Sequence, residues 1–162
     1  MTIIHHDTED RLYVRSSVDG PGSYVRSITY ESSISLIVAL IDHSAYCRQL
    51  LSYECSGSGF YFNSSRPNSW WISRYGYKEY NWGGDTNNAC ACHPHCSPAD
   101  LRCNCDLGQR FNWTRDYGYV ENRTKLPIRQ VSFCPGGGGG KENLLSTYID
   151  RSPLGTFLES VS

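Results

Sequence analysis

No apolar run in this 162-residue chain approaches the roughly 18 residues a membrane-spanning helix requires; the longest is Leu36-Ile37-Val38-Ala39-Leu40-Ile41. No charge of one sign dominates, with 15 Lys and Arg against 16 Asp and Glu and a formal net charge of -1. That balance excludes the basic excess of a nucleic-acid binder and the polybasic patch that would hold a chain on an anionic membrane. Apolar residues are somewhat scarce at 39%, so the core is expected to be modest. Internal repeats are absent. The start, Met1 to Asp7, lacks the long apolar stretch of a secretory signal. The glycine run Gly136 to Gly140 lacks the Lys-Ser/Thr ending of a phosphate-binding loop. Neither a nucleophile–base pair nor a paired-carboxylate site is legible, so no catalytic residue is assigned and the chain is not expected to be an enzyme.

Cysteine, by contrast, is abundant: Cys47, Cys55, Cys90, Cys92, Cys96, Cys103, Cys105 and Cys134. An even number, five of them between 90 and 105, reads as a disulfide framework or a metal site. With His93 and His95, that stretch offers seven zinc-type ligands within 16 residues. Its Cys-x-Cys pairs are not the paired Cys-x2-Cys knuckles of a usual zinc module, so disulfides are favoured and no metal is assigned. Disulfides persist in oxidising compartments, which places the domain outside the cell. Three Asn-x-Ser/Thr sequons, at Asn63, Asn112 and Asn122, agree with that location as glycosylation sites. With no signal segment at its start, the chain is expected to be an excerpt of a longer secreted protein. Asp85-Thr86-Asn87-Asn88 offers oxygen ligands for calcium, but a bare polar turn is the favoured reading, and no cofactor is assigned.

Along the chain, Asp19-Gly20-Pro21-Gly22 signals a turn, and Tyr24 to Tyr30 has the β-branched and aromatic content of a strand. Ser32 or Ser33 is placed to cap a helix over 34–46, where Ile34, Ile37, Leu40 and Ile41 recur at helical spacing. Strands are expected at Leu50 to Cys55 and Leu126 to Phe133, the latter at a sheet edge or with Pro127 at its first position. Between them the aromatics Phe60, Tyr61, Phe62, Trp70, Trp71, Tyr75, Tyr77, Tyr80 and Trp82 crowd together. They are read first as the core of a β-rich domain and second as a binding surface for carbohydrate or protein. Trp70, Trp71 and Trp82 are the expected anchors, with Gly83 and Gly84 turning the chain after them. Arg74, Tyr77 and Lys78 are the candidate surface contacts. These signals fit a β-rich domain with one short helix.

Several motifs carry a family resemblance: Trp70-Trp71-Ile72-Ser73-Arg74, Tyr80-Asn81-Trp82-Gly83-Gly84, Cys90-Ala91-Cys92, Cys103-Asn104-Cys105-Asp106, Trp113-Thr114-Arg115-Asp116-Tyr117-Gly118 and Leu126-Pro127-Ile128-Arg129-Gln130-Val131. Together they resemble the fibrinogen-like region of contactin-associated proteins, the neurexin IV-type adhesion receptors. The resemblance covers roughly residues 20–133. Ser152-Pro153-Leu154-Gly155-Thr156-Phe157-Leu158-Glu159 resembles a piece of the laminin-G domain that follows in such receptors. Cys134-Pro135 and the glycine run depart from the family's passage between the two.

The resemblance implies an N-terminal flank at 1–19, a small disulfide-bonded fibrinogen-like domain at 20–134, a glycine-rich linker at 135–141 and a laminin-G fragment at 142–162. The domain is then of α+β class, mainly antiparallel β with one short helix, and a Cys47–Cys55 bridge is the pairing rated highest. It further implies a non-catalytic module in the ectodomain of a single-pass plasma-membrane receptor. Such a module mediates or spaces contacts with cell-surface proteins, contactin-like immunoglobulin-superfamily receptors among them. The segment itself would neither enter the membrane nor bind nucleic acid. The rival reading is a fibrinogen-related lectin that recognises glycans, with calcium.

Overall fold

A computed structural model describes residues 2–8, 20–57, 59–62, 66–86, 88–96, 101–108 and 112–134, together with the backbone course of 12–14 and 140–150. Asn63, Gly136 to Gly139 and residues 151–162 of the expected laminin-G fragment lie outside the described residues. The architecture is a small disulfide-bonded α+β module, mostly antiparallel strands with one α-helix. No helix among the described residues is long and apolar enough to cross a membrane.

The helix α1 spans Ile34–Asp42 and buries Ile37 and Ile41, four positions apart on one face. Ser33 caps it by accepting the Leu36 N–H at 3.3 Å. Leu36 is exposed. The helix is shorter than the expected 34–46. His43 leaves the helical conformation, and the carbonyls of Ile41 and Asp42 are taken by the guanidinium of Arg123 at 2.8 and 3.1 Å. The chain from Tyr46 onward joins a strand.

The strands in chain order are β1 (Thr2–Ile4), β2 (Leu12–Val14), β3 (Tyr24–Ser27), β4 (Tyr46–Cys55), β5 (Tyr61–Phe62), β6 (Arg66–Pro67), β7 (Trp70–Ile72), β8 (Lys78–Glu79), β9 (Thr114–Val120), β10 (Gln130–Phe133) and β11 (Gly140–Asp150). One sheet runs β1-β11-β4-β9, with β2 also against β11. The second runs β3-β10-β7-β8, and β5 and β6 form a short ribbon. Strand β4 begins four residues before its expected start because Cys47 and Gln49 alternate inward with Tyr46 and Arg48 half-exposed. Strand β10 is internal, with Val131 opposite both Arg26 and Trp71. Pro127 does not weaken that ladder, since it lies buried three residues upstream of it.

The core joins Ile4, Ile28, Ile37, Ile41, Leu51, Leu126, Ile128 and Val131 to an aromatic cluster. Tyr53 stacks on Phe133 with centroids 4.4 Å apart, and Phe60 packs on Trp82 at 4.5 Å. Trp71 is buried and donates its indole N–H to Asn81 O at 2.7 Å. Trp70 is only half-buried. Aromatic area thus fills the volume that a chain short of aliphatic residues leaves open.

Three disulfides close the cysteine-rich region: Cys55–Cys105, Cys90–Cys103 and Cys92–Cys96. The expected Cys47–Cys55 bridge does not form. Both residues lie on β4, eight residues apart, which in an extended strand is about 26 Å, far beyond a disulfide's Cα span. Cys47 and Cys134 are thiols, the first buried and the second half-buried.

Candidate functional site

Strands β7 and β8 form a hairpin, with Trp71 opposite Glu79 and Ile72 opposite Lys78. Its turn is fixed by three hydrogen bonds onto the buried Ser73. The Ser73 N–H donates to Tyr77 O at 3.0 Å, the Gly76 N–H to Ser73 O at 2.9 Å, and the Tyr77 N–H to Ser73 Oγ at 3.3 Å. Gly76 holds φ +88, a conformation that side chains other than glycine's rarely adopt. The result is a rigid tip on which Tyr75 is 65% and Tyr77 70% exposed.

Of the three residues singled out on this hairpin, Tyr77 and Lys78 lie on the surface. Lys78 places its ammonium 3.7 Å from the ring centroid of Trp70. Arg74 does not serve as a surface contact: its side chain is 8% exposed, donating to Asp42 Oδ1 at 3.3 Å and Leu126 O at 3.4 Å. Those acceptors draw the guanidinium inward, and its plane covers Tyr75 at 4.9 Å. Arg74 is therefore a tie between hairpin, helix end and the segment before β10. Tyr75, read in the sequence first with the aromatic core and only second as a binding surface, lies on the surface with Tyr77. The signal was present in Tyr75-Gly76-Tyr77, two tyrosines flanking a turn glycine.

Beside the hairpin, a groove of about 600 Å³ opens between β9 and the segment 81–93. Its floor is a backbone-to-backbone contact. A Cβ on Gly83 would sit 2.6 Å from Gly118 Cα, and one on Gly118 would sit 2.4 Å from Trp82 O. Asn81 shapes one wall, accepting the Gly83 N–H at 2.8 Å and donating to Gly84 O and Thr86 O. Along the other side run Tyr117, 60% exposed, and Tyr119 on the strand's edge, with Glu121 just past its end. Asp85 meets His93 at 3.4 Å, Lys125 meets Glu79 at 2.5 Å, and Glu121 accepts a hydrogen bond from Tyr46.

Behind the groove, Asp116 is buried and accepts the N–H groups of Asn104 (3.0 Å) and Cys105 (2.7 Å), tying β9 to the 3-10 turn Asn104–Leu107. Burial raises its carboxyl above the ordinary range, against those two hydrogen bonds. Asp106 is pushed up to about 6, first by burial and further by the charge of Asp116. Its Oδ1 accepts the Tyr61 N–H at 2.9 Å.

Cys90, Cys103 and Asp116 offer ligand-type atoms within 4.8 Å of one another, but the two sulfurs are bonded to each other and leave no thiolate pair for zinc. Burial pushes the Cys47 thiol up to about 11, opposite to the direction that makes a cysteine nucleophilic. Asp85 and Thr86 are exposed. Asn112 and Asn122 are exposed as well, while Asn63 lies outside the described residues.

No family model matches the chain. In an alignment of 145 positions that covers 82% of this chain, it is 34% identical to Neurexin-4 of Drosophila melanogaster. The chain spans 11% of the neurexin relative, so the likeness belongs to one segment of a much longer protein.

Proposed function

We propose that this chain is a non-catalytic, fibrinogen-like module of an extracellular cell-adhesion receptor, and that it makes or spaces protein–protein contacts at cell junctions. The similarity to Neurexin-4 supports the adhesion and ectodomain setting and points away from an enzyme. The disulfides agree with an oxidising location. The observation that carries the contact role is the hairpin tip, two tyrosines about two-thirds exposed on a backbone held by its own hydrogen bonds. Rigid, exposed tyrosines are the side chains that dominate protein interfaces, because they add area at little cost in conformational entropy.

The partners are cell-surface proteins, with contactin-like immunoglobulin-superfamily ectodomains the first class to test. Binding of the secreted module to immobilised ectodomains of that class is the experiment. The double substitution Tyr75→Ala, Tyr77→Ala is expected to weaken it at least about thirtyfold, the scale of one hot spot, with an unchanged melting temperature. Equal binding by the variant would remove the hairpin from the proposal. The lectin reading rests on the groove and its exposed Tyr117. Calcium-dependent retention on a glycan array would favour it.

A further inference from the structure

The sequon Asn122-Arg123-Thr124 occupies a turn that is fixed from both sides. Arg123 is anchored to the last carbonyls of α1, at 2.8 Å from Ile41 O and 3.1 Å from Asp42 O. The Lys125 N–H closes the turn onto Asn122 O at 3.0 Å, and the Arg74 N–H donates to Lys125 O at 2.9 Å. Within the turn, Asn122 Oδ1 accepts both the Thr124 N–H at 3.1 Å and the Thr124 hydroxyl at 2.7 Å. The amide oxygen is thereby held, and Nδ2 is the remaining reactive end of an exposed side chain. Asn122 is also part of the groove wall.

We propose that Asn122 carries an N-linked glycan whose inner sugars lie back in the groove against Tyr119 and Tyr117, closing it to protein partners. The inference rests on the extracellular reading above. In the attachment step, the Nδ2 lone pair forms the bond to C1 of the first sugar. The C1–O bond to a lipid-linked pyrophosphate donor breaks, its electrons leave with the pyrophosphate, and the displaced amide proton passes to the transferring enzyme.

Position argues for this occupant. Tyr117 and Tyr119 share one face of β9 by the two-residue period of a strand, and Glu121 and Asn122 follow directly after its last residue, Val120. Tyr119 is three residues from the attachment point, about 10 Å of extended chain, so a second or third sugar already reaches the aromatic rings. The C–H face of a sugar is apolar and packs on tyrosine rings, and the guanidinium groups over those rings, Arg48 at 4.1 Å from Tyr119 and Arg115 at 5.4 Å from Tyr117, join Asp85 and Glu121 as partners for its hydroxyls. A groove of about 600 Å³ is within the size range of small-ligand sites. Asn112, the other described sequon, does not line it.

The test uses the whole chain, secreted from a eukaryotic host. Mass spectrometry is expected to find Asn122 glycosylated. Release by peptide-N-glycosidase, which leaves aspartate, should be slower at Asn122 in the native protein than after denaturation. Tyr117→Ala should speed native release about threefold to tenfold, the size of one lost aromatic contact, whereas Tyr117→Phe should leave it slow. Tyr117 is exposed, so neither variant threatens the fold. An unmodified Asn122 overturns the proposal. So does native release as fast as denatured release, or release unaffected by Tyr117→Ala. None of these readouts involves a binding partner, so failure here is distinct from failure of the hairpin contact.

Discussion

Gln49, fully buried in β4, accepts the backbone N–H of Ile128 at 2.9 Å, across 79 residues of sequence. Its amide nitrogen donates to the Tyr30 hydroxyl at 2.9 Å, and that hydroxyl donates to Ile128 O at 2.6 Å. One side chain and one phenol thus satisfy both backbone groups of a core residue that lies outside the strands. A buried polar group with all its partners in place stabilises; one left unpaired costs more than its bond was worth. Gln49→Leu is therefore expected to lower stability by about 2–4 kcal/mol, since it orphans the Ile128 N–H and one partner of Tyr30. Denaturant unfolding under oxidising conditions measures this, and a loss under about 1 kcal/mol would show that the network contributes little.

The disulfide pattern makes a prediction about thiol counting. Intact mass after alkylation of the native protein should show rapid modification at Cys134 alone. Cys47 should react only on unfolding, because it is 1% exposed and its thiol is raised to about 11. Six further adducts should appear only after reduction. Among the bridges, removing Cys55–Cys105, which closes 50 residues, is expected to cost about 4 kcal/mol in the chain-entropy model. Removing Cys92–Cys96, which closes 4, should cost about 2 kcal/mol.

Asp106 predicts a pH dependence of unusual sign for a carboxylate. Burial, reinforced by Asp116, raises its pKa from 3.8 to about 6. Between those values the native state holds more protons than the unfolded chain, so stability is full below 3.8 and falls as pH rises through 6. Asp106→Asn keeps the acceptor for the Tyr61 N–H but does not titrate. From pH 4 to pH 7 the variant should gain about 1–2 kcal/mol on the native protein, reduced from the full shift because Asp106 is not wholly buried. Parallel stability curves for the two proteins would contradict the raised pKa.

The glycine contact beneath the groove predicts a sharp difference between two outwardly similar changes. Gly118→Ala would place its Cβ 2.4 Å from Trp82 O, forcing β9 and the 82–84 segment apart. A loss of about 1–3 kcal/mol is expected, the usual range for overpacking. Gly20→Ala meets nothing within 4 Å and should be near neutral. Thermal unfolding of both variants against the native chain decides it, and equal melting temperatures would dismiss the close approach.

Local chemistry was legible in the sequence because its determinants sit within a few residues of one another. Ile37 and Ile41 at helical spacing after Ser33 specify α1, and the aromatic run from Phe60 to Trp82, in which Ile72 is the one aliphatic residue, foretold an aromatic core. Dense, closely spaced cysteines indicated disulfides rather than a metal site, while the mostly antiparallel α+β class was implied by the family resemblance, the residue patterns alone indicating a β-rich domain with a short helix. The tertiary structure decided what depends on distant partners. Cys55 meets Cys105 rather than Cys47 because both Cys47 and Cys55 are committed to one extended strand. Arg74 turns inward because Asp42 and Leu126 O, 32 and 52 residues away, provide acceptors that a surface position would lack. The groove exists because Gly83 and Gly118, 35 positions apart, let two backbones touch. Periodicity and capping act over one or two turns of chain and are written in sequence order. Burial, pairing and register depend on which segments the collapsed core brings together, and only the folded chain specifies that.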